Sequence, residues 1–251
     1  MSKLNNNWEF NVFDIYDFNM KGKLDIYYNY IIKNHESIDG DILEAGVFRG
    51  KSLLSTALLL KELGSNKKVY GFDSFSGFPP IYHKNDDLQK FKELNTQGRI
   101  SNHHLESHDK LKEYREVLKK VDIDVSNISS STNFSDTSEE SIKRKMDYLG
   151  LDNIVLVKGD FETTMQDEQM KNLKLMSALL DCDLYSSYQV ALPFIWERMN
   201  SKGFLYLDEY YSLKFPGARI ACDEFFSGKQ EVPQKAETIR RQFERWYAIK
   251  K

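Results

Sequence analysis

Four carboxylates stand directly after two apolar segments in the second half of this 251-residue sequence. Asp181 and Asp183 follow the segment MSALL, and Asp208 and Glu209 follow the segment FLYL. If the two segments are neighbouring strands, the four acids lie close together at the ends of these strands. Carboxylates in contact raise one another's pKa values. A divalent cation removes this repulsion, and an all-oxygen ligand set suits Mg²⁺ or Mn²⁺. We therefore predict that Asp181, Asp208 and Glu209 bind Mg²⁺ or Mn²⁺; the alternative is that they are exposed acids capping the next helices.

A glycine-containing turn follows an earlier apolar segment, DILEA, and leads into a helical pattern. It reads EAGVFRGKS over residues 44–52, so its glycines are spaced differently from the G-x-G-x-x-G of dinucleotide-binding proteins. Glycine lets a backbone turn sharply and approach a ligand, and a helix N-terminus attracts a carboxylate. This pattern favours S-adenosylmethionine over NAD, although a plain strand-to-helix turn explains the glycines alone. The residues predicted to contact the cofactor here are Glu44, Gly46, Phe48, Arg49, Gly50 and Ser52.

Two further predicted strand ends complete the cofactor site. Asp73 and Ser74 follow the second apolar segment, where an acid in such folds holds the ribose diol. Gly159 and Asp160 follow the third, and there we expect the acid to meet the adenine. Asp181 is assigned to the cofactor site as well as to the metal site. The alternative interpretation is that Asp73 caps a turn and Asp160 caps a helix.

The apolar segments predict the fold that brings these residues together. Continuous apolar runs are typical of parallel strands buried on both faces, and helical patterns separate them. The predicted strands are Asp41–Ala45, Val69–Phe72, Ile154–Val157, Met176–Leu180 and Phe204–Leu207, with Phe243–Ile249 as a last strand at the sheet's edge. The predicted helices are Lys51–Leu63, Ser138–Leu149, Gln166–Asn172, Tyr188–Met199 and Ala218–Phe226. Alternation of this kind predicts an α/β fold with a doubly wound, mostly parallel sheet.

Two segments fall outside the alternation. Residues 1–38 are rich in aromatic side chains and are predicted to form a cap over residues 39–251, either as a lid and dimer contact or as part of the core. Residues 81–132 lie in a long polar stretch and are predicted to be a mobile inserted loop with one charged helix at Ser107–Lys120. The histidines in it, including His104 and His108, are expected to be solvated rather than to bind zinc.

Charge and composition argue against nucleic-acid and membrane partners and indicate a cellular location. The chain has 35 Lys and Arg against 38 Asp and Glu, and a slightly negative net charge of −3 argues against a nucleic-acid partner. No apolar run approaches the ~20 residues that cross a bilayer, so no membrane partner is expected. Cys182 and Cys222 cannot form a disulfide framework. We therefore predict a reduced, cytoplasmic location.

The motifs, in this order, resemble the macrocin O-methyltransferase family. Those that carry the resemblance are EAGVFRGKS, FDSFSGFP, LVKGDFETTM, LLDCDLYSSYQVAL, LDEYY and PGARIACDEF, over roughly residues 40–80 and 133–226. Most of residues 81–132 look specific to this chain. The resemblance implies a class I (Rossmann-like) methyltransferase fold and metal-dependent, S-adenosylmethionine-dependent methylation of sugar hydroxyls. It also implies that Asp181, Asp208 and Glu209 hold the metal and that Asp183 is the general base.

This sequence departs from the family pattern at two places. Glu209 stands where the family usually has Asp, and Ser186 and Tyr188 replace an acidic residue and Thr. We expect O-methylation of a small hydroxylated acceptor, such as a sugar, a nucleotide-linked sugar or a polyol, by a homodimer. The alternatives are a metal-independent methyltransferase for an amine or a phosphate-type oxygen, an RNA methyltransferase, and a non-catalytic cofactor-binding protein.

Overall fold

A computed structural model describes residues 4–237 and 243–251 of the chain. The described residues form one seven-stranded sheet. Its strands are β1 (Asp41–Ala45), β2 (Val69–Asp73), β3 (Ile154–Lys158), β4 (Leu175–Leu180), β5 (Met199–Leu207), β6 (Gln234–Lys235) and β7 (Trp246–Ile249). The helices are α1 (Asn7–Val12), α2 (Asp25–Asn34), α3 (Lys51–Glu62), α4 (Lys90–Thr96), α5 (Asn102–Lys119), α6 (Glu139–Leu149), α7 (Phe161–Thr164), α8 (Tyr185–Arg198) and α9 (Pro216–Phe226), with 3-10 turns at Lys84–Asp86, Glu168–Met170 and Asp208–Tyr211.

The strand order is β3-β2-β1-β4-β5-β7-β6. β1 pairs in parallel with both β2 and β4, so the order of strands reverses between β1 and β4. Such a reversal is the place where open α/β sheets bind ligands, at the carboxyl ends of the strands. The doubly wound α/β fold predicted from the apolar segments is confirmed.

Side chains of the parallel strands alternate between two apolar clusters, one on either face of the sheet. Leu43 and Leu205 lie in one cluster, whereas their neighbours Ile42 and Tyr206 lie in the other. This alternation follows from the period of two in a strand. Burial on both faces explains why the strand segments are continuously apolar in sequence.

Three predicted elements differ from the structure. The predicted final strand is shorter, since β7 begins at Trp246, and it does not form the edge because β6 pairs with its outer side. The range Gln166–Asn172, predicted to be a helix, contains only the 3-10 turn Glu168–Met170. The helix predicted from Tyr188 begins three residues earlier, at Tyr185, where a carboxylate from a distant segment accepts a hydrogen bond from the first backbone N–H.

Residues 81–132 are not a simple loop. They contain two helices, α4 and α5, and α5 begins five residues before the predicted Ser107. Phe91, Ile128 and other apolar side chains of this segment are buried in the same cluster as α8 and α9. His104 and His108 are buried as well, so the expectation that they are solvated is wrong. The predicted mobility of the segment stays a prediction.

The aromatic N-terminal segment, described from residue 4, packs on the opposite cluster. Phe10, Tyr27 and Tyr28 are buried there, which supports the core alternative for these side chains. Tyr16, by contrast, lines the cavity described below. No helix in the described ranges has the length and apolar character that a membrane-spanning segment requires.

Candidate active site

A cavity of about 750 Å³ opens at the carboxyl ends of the parallel strands, on both sides of the point where the strand order reverses. Its walls bring together most of the residues singled out in the sequence. The predicted residues that line it are Gly46, Phe48, Arg49, Ser52, Asp73, Ser74, Gly159, Asp160, Asp181, Asp183, Asp208 and Glu209. Glu44 and Gly50 do not line it, although both belong to the turn that forms one wall.

Three carboxylates meet at one end of the cavity. Asp181, Asp208 and Glu209 each offer an oxygen, and these oxygens lie within 4.8 Å of one another. The first follows β4, and the other two begin the 3-10 turn after β5, so adjacent parallel strands position the cluster. Burial, and then the charge of Asp208, raise the pKa of Asp181 to about 7. Burial also favours the neutral form of Asp208, but nearby cations, Lys23 foremost, outweigh it and lower the pKa of Asp208.

Two lysines that the sequence did not single out reach these acids. The Nζ of Lys23, which precedes α2, lies 3.2 Å from Asp208 Oδ2 and 3.5 Å from Asp181 Oδ2. The Nζ of Lys214, which precedes α9, lies 3.6 Å from Glu209 Oε1. The acidic partners hold the pKa of both ammonium groups above the ordinary value despite burial. Two cations of the chain itself therefore partly compensate the three carboxylates of the cluster.

Asp183 lies beside this cluster in an unusual backbone conformation. Its φ is +60°, in the left-handed region where Asp is tolerated better than most residues. The side chain is buried, and burial followed by the charge of Glu209 raises its pKa well above the ordinary value. A strained, buried acid with a raised pKa that faces a cavity has the features of a proton acceptor.

The cofactor side of the cavity is built by close backbone contacts. Gly46 has a φ of +92°, and a Cβ there would overlap the carbonyl group of Asp181. Asp73 Oδ2 accepts hydrogen bonds from the backbone N–H groups of Val47 and Phe48, both at 2.8 Å, and its Oδ1 accepts one from Phe75 N–H at 2.6 Å. In this structure Asp73 thus stabilises the turn, which is the alternative role considered for it.

Three other predicted cofactor residues also have structural roles. Asp160 Oδ1 accepts a hydrogen bond from Glu162 N–H at 2.8 Å and caps α7. Glu44 is fully buried, accepts a hydrogen bond from the Ser52 hydroxyl at 2.7 Å, and has a pKa raised well above its ordinary value by burial. Gly50, with a φ of +76°, is the residue that precedes α3. The predicted contacts of these residues with the cofactor stay predictions.

The acid cluster fits a divalent cation. All its donors are oxygens, as Mg²⁺ and Mn²⁺ prefer. Asp208 Oδ1 is buried and has no hydrogen-bond partner among the described residues, so this oxygen is available as a metal ligand. A buried polar atom without a partner is costly, and a metal ligand bond would satisfy it. Lys23 competes for the same carboxylates, which makes the ion pair and the metal alternatives to each other.

The family model for macrocin-O-methyltransferases matches residues 23–121 and 117–246. The match extends across residues 81–132, so this segment is not specific to the chain, contrary to the expectation from sequence. It also begins at Lys23, the residue whose ammonium meets the acids.

One curated relative and two solved structures are similar to the chain. The relative is the mycinamicin III 3''-O-methyltransferase of Micromonospora griseorubida, 26% identical over 193 residues; the match covers 76% of this chain but spans only 61% of the relative's length. The O-methyltransferase NovP superposes with a TM-score of 0.61 at 17% identity, covering 90% of this chain and 80% of NovP. The calicheamicin methyltransferase CalS11 superposes with a TM-score of 0.59 at 19% identity, covering 89% of this chain and 76% of CalS11. The fold is that of class I methyltransferases.

Proposed function

We propose that this chain, which belongs to the macrocin-O-methyltransferase family, transfers a methyl group from S-adenosylmethionine to a hydroxyl of a small sugar, nucleotide-linked sugar or polyol, assisted by a divalent cation. The observation that carries the proposal is the meeting of Asp181, Asp208 and Glu209 within 4.8 Å, beside buried Asp183 and in one cavity with the glycine turn. The printed name of the Micromonospora griseorubida relative supports an oxygen acceptor.

The residues of the cavity divide into a cofactor side and an acceptor side. Gly46 gives the cofactor side its close backbone approach, and the turn held by Asp73 ends at the N-terminus of α3, which favours a carboxylate. Asp181, Asp208 and Glu209 would hold the cation on the acceptor side. When bound, S-adenosylmethionine supplies the methyl group and the cation lowers the pKa of the acceptor hydroxyl.

Asp183 is the proposed general base. Burial, and then the charge of Glu209, raise its pKa well above the ordinary value of a carboxyl group, and this increases its tendency to take up a proton from the acceptor hydroxyl. Lys214, whose ammonium lies beside Glu209, favours the ionised form of the neighbouring acids. Tyr16 and the rest of the N-terminal segment would help to exclude water, and methyl transfer then depends mainly on positioning.

A metal-independent methyltransferase is the second candidate. The ion pairs of Lys23 and Lys214 favour it, because they already compensate the acids without a metal. Such an enzyme would use the same cofactor site. Dimer formation and a cytoplasmic location stay predictions under either candidate.

Calorimetry separates the two candidates. S-adenosylhomocysteine is titrated into the protein, and Mg²⁺ is then titrated into the complex, for the wild type, Asp208→Ala and the exposed control Asp152→Ala. A metal-binding event that is lost in Asp208→Ala and kept in the control supports the metal site, and methyl transfer to a panel of sugars then tests the acceptor class. Cofactor binding without a metal event favours the metal-independent enzyme. Absence of cofactor binding contradicts both.

A further inference from the structure

We propose that residues 81–132, here called the clamp segment, position the proposed active site through Asp86, His104 and His108. These three positioning residues do not line the cavity, although Ser129, Ser130 and Ser131 at the end of the same segment do. The inference rests on the proposed function, which assigns the site its role. The contacts described below show how the clamp segment holds that site. The loop that it holds, residues 208–215, is here called the acid loop, since it begins with Asp208 and Glu209.

Two buried histidines of α5 hold the far end of the acid loop. His104 Nε2 lies 2.6 Å from the carbonyl oxygen of Ser212, and His108 Nδ1 lies 2.8 Å from that of Leu213. A carbonyl only accepts, so His104 donates through Nε2–H and His108 through Nδ1–H. Burial lowers the pKa of both rings, which keeps them neutral at neutral pH.

These contacts fix the backbone between Glu209 and Lys214, two residues of the proposed site. Ser212 Oγ accepts hydrogen bonds from the backbone N–H groups of Lys214 and Phe215, both at 3.0 Å, so the residue held by His104 in turn orients Lys214. The His104 ring also packs against the Tyr211 ring, with ring centroids 4.2 Å apart and the ring planes tilted by 45°. The acid loop is thus held at its carboxyl end by α5 and at its amino end by β5.

A second contact of the clamp segment reaches the loop of Asp183. Asp86 is buried, and its Oδ1 accepts a hydrogen bond at 2.8 Å from the N–H of Tyr185, the first residue of α8. A carboxylate is favourable at a helix N-terminus, and here it fixes the backbone two residues after Asp183. Gly217 of α9 makes room for Asp86, because a Cβ there would overlap the Asp86 carboxylate and lie 2.8 Å from Tyr185 Cβ.

A third connection runs through a salt bridge. Arg99 Nη2 lies 2.7 Å from Asp223 Oδ2 on α9, and Asp223 Oδ1 accepts a hydrogen bond at 2.7 Å from the hydroxyl of Tyr210, the neighbour of Glu209. The clamp segment therefore reaches both strand-end loops that carry the four acids. Asp86, His104 and His108 are buried, and Arg99 is partly buried; buried side chains with fixed partners suit positioning rather than substrate contact.

The two histidines permit a test with matched variants. Glutamine places an amide N–H where His Nε2–H stood, and asparagine places one where His Nδ1–H stood. His104→Gln and His108→Asn therefore keep the donor, whereas His104→Asn and His108→Gln misplace it. Asp86→Asn keeps the acceptor, and Asp86→Leu removes it. His103→Asn, at an exposed position of the same helix, is the control.

Amide hydrogen exchange of the metal-free, cofactor-free protein is the first readout. In the donor-misplacing variants, exchange of the 208–215 peptide should rise about tenfold, while the donor-keeping variants and the control stay near the wild type. In Asp86→Leu the rise should fall on the start of α8. Equal exchange in the Asn and Gln variants of each histidine overturns the proposal, as does a uniform rise over the whole chain.

Mg²⁺ affinity by calorimetry is the second readout. The donor-misplacing variants should bind Mg²⁺ about tenfold more weakly, and the donor-keeping variants should recover the wild-type affinity. Altered exchange with unaltered affinity overturns the positioning role. If the wild type itself binds no Mg²⁺, the proposed metal site fails, and the exchange pattern alone then decides whether the clamp exists.

Discussion

Replacing Lys23 by methionine removes an ammonium group from between two of the proposed metal ligands while keeping the length of the side chain. At 3.2 Å, Coulomb's law with an effective dielectric constant of about 20 gives about 5 kcal/mol for the pair with Asp208. Desolvation offsets part of this, and removing one partner of a buried pair costs about 3–5 kcal/mol. Lys23 is 28% exposed and Asp181 can take up a proton, so we expect a loss of about 3 kcal/mol in the free energy of unfolding of the metal-free protein.

The same replacement should strengthen metal binding. A cation held by Asp181, Asp208 and Glu209 repels or displaces the ammonium of Lys23, so the wild type gives up the ion pair when it binds the metal. Loss of about 3 kcal/mol of ion-pair energy on metal binding corresponds to a change of about a hundredfold in the Kd for the metal. We expect Lys23→Met to bind Mg²⁺ between about tenfold and a hundredfold more tightly, and saturating Mg²⁺ to restore its stability.

Urea unfolding with and without a chelator measures the first effect, and calorimetry with Mg²⁺ measures the second. Lys21→Met is the matched control, because Lys21 is exposed two residues away. It should leave both quantities unchanged. The reasoning is refuted if Lys23→Met binds Mg²⁺ no more tightly than the wild type while its unfolding free energy equals that of the control.

Three other perturbations test the site. Asp183→Asn should abolish methyl transfer in a turnover assay and leave the affinity for S-adenosylhomocysteine nearly unchanged; loss of cofactor binding would assign Asp183 a structural role instead. Mg²⁺ affinity measured by calorimetry should fall by up to about tenfold per pH unit below about 7, since Asp181 must lose a proton before it ligates. Without metal, the raised pKa of Asp181 stabilises the folded protein at a pH below the pKa that this carboxyl has in the unfolded chain. This contribution is lost as the pH rises to about 7. In the presence of a chelator, the urea midpoint of the wild type should therefore decline over this pH range, and that of Asp181→Asn should lack this decline. Gly46→Ala should cost about 3 kcal/mol of unfolding free energy, because its Cβ overlaps the backbone of Asp181 at a positive φ; a variant as stable as the wild type contradicts this.

The sheet and the acid cluster could be predicted because their signals are local. A strand buried on both faces is a continuous apolar run, and the residue after the run stands at the carboxyl end of the sheet. Asp181 and Asp208 are found by that rule alone, and the structure brings them together as expected. The early start of α8 could not be predicted, because its first N–H is satisfied by Asp86, which lies 99 residues earlier in the chain.

The cations and the buried histidines escaped prediction for a related reason. Lys23 is separated from Asp181 by 158 residues, and nothing in its neighbours distinguishes it from exposed lysines. His104 and His108 stand four residues apart on a helix rich in charged side chains, a pattern typical of an exposed face. Their burial depends on how α5 packs near the acid loop, and a single sequence carries no local signal for such a contact. The sequence allows two roles for Asp73, one at the cofactor and one in the turn, and the structure shows the hydrogen bonds of the second.

The close approach of Gly46 to the carbonyl group of Asp181 has a thermodynamic consequence. The turn proposed to bind the cofactor is in contact with the backbone of Asp181, whose side chain is a proposed metal ligand, so a shift of one is expected to shift the other. Two ligands that bind to such a shared wall are expected to be coupled. By linkage, whatever factor the cofactor imposes on metal affinity, the metal imposes on cofactor affinity. Heterotropic cooperativity between the methyl donor and the cation would then be a property of one glycine, and the order in which the two are added would change rates but not the final occupancy.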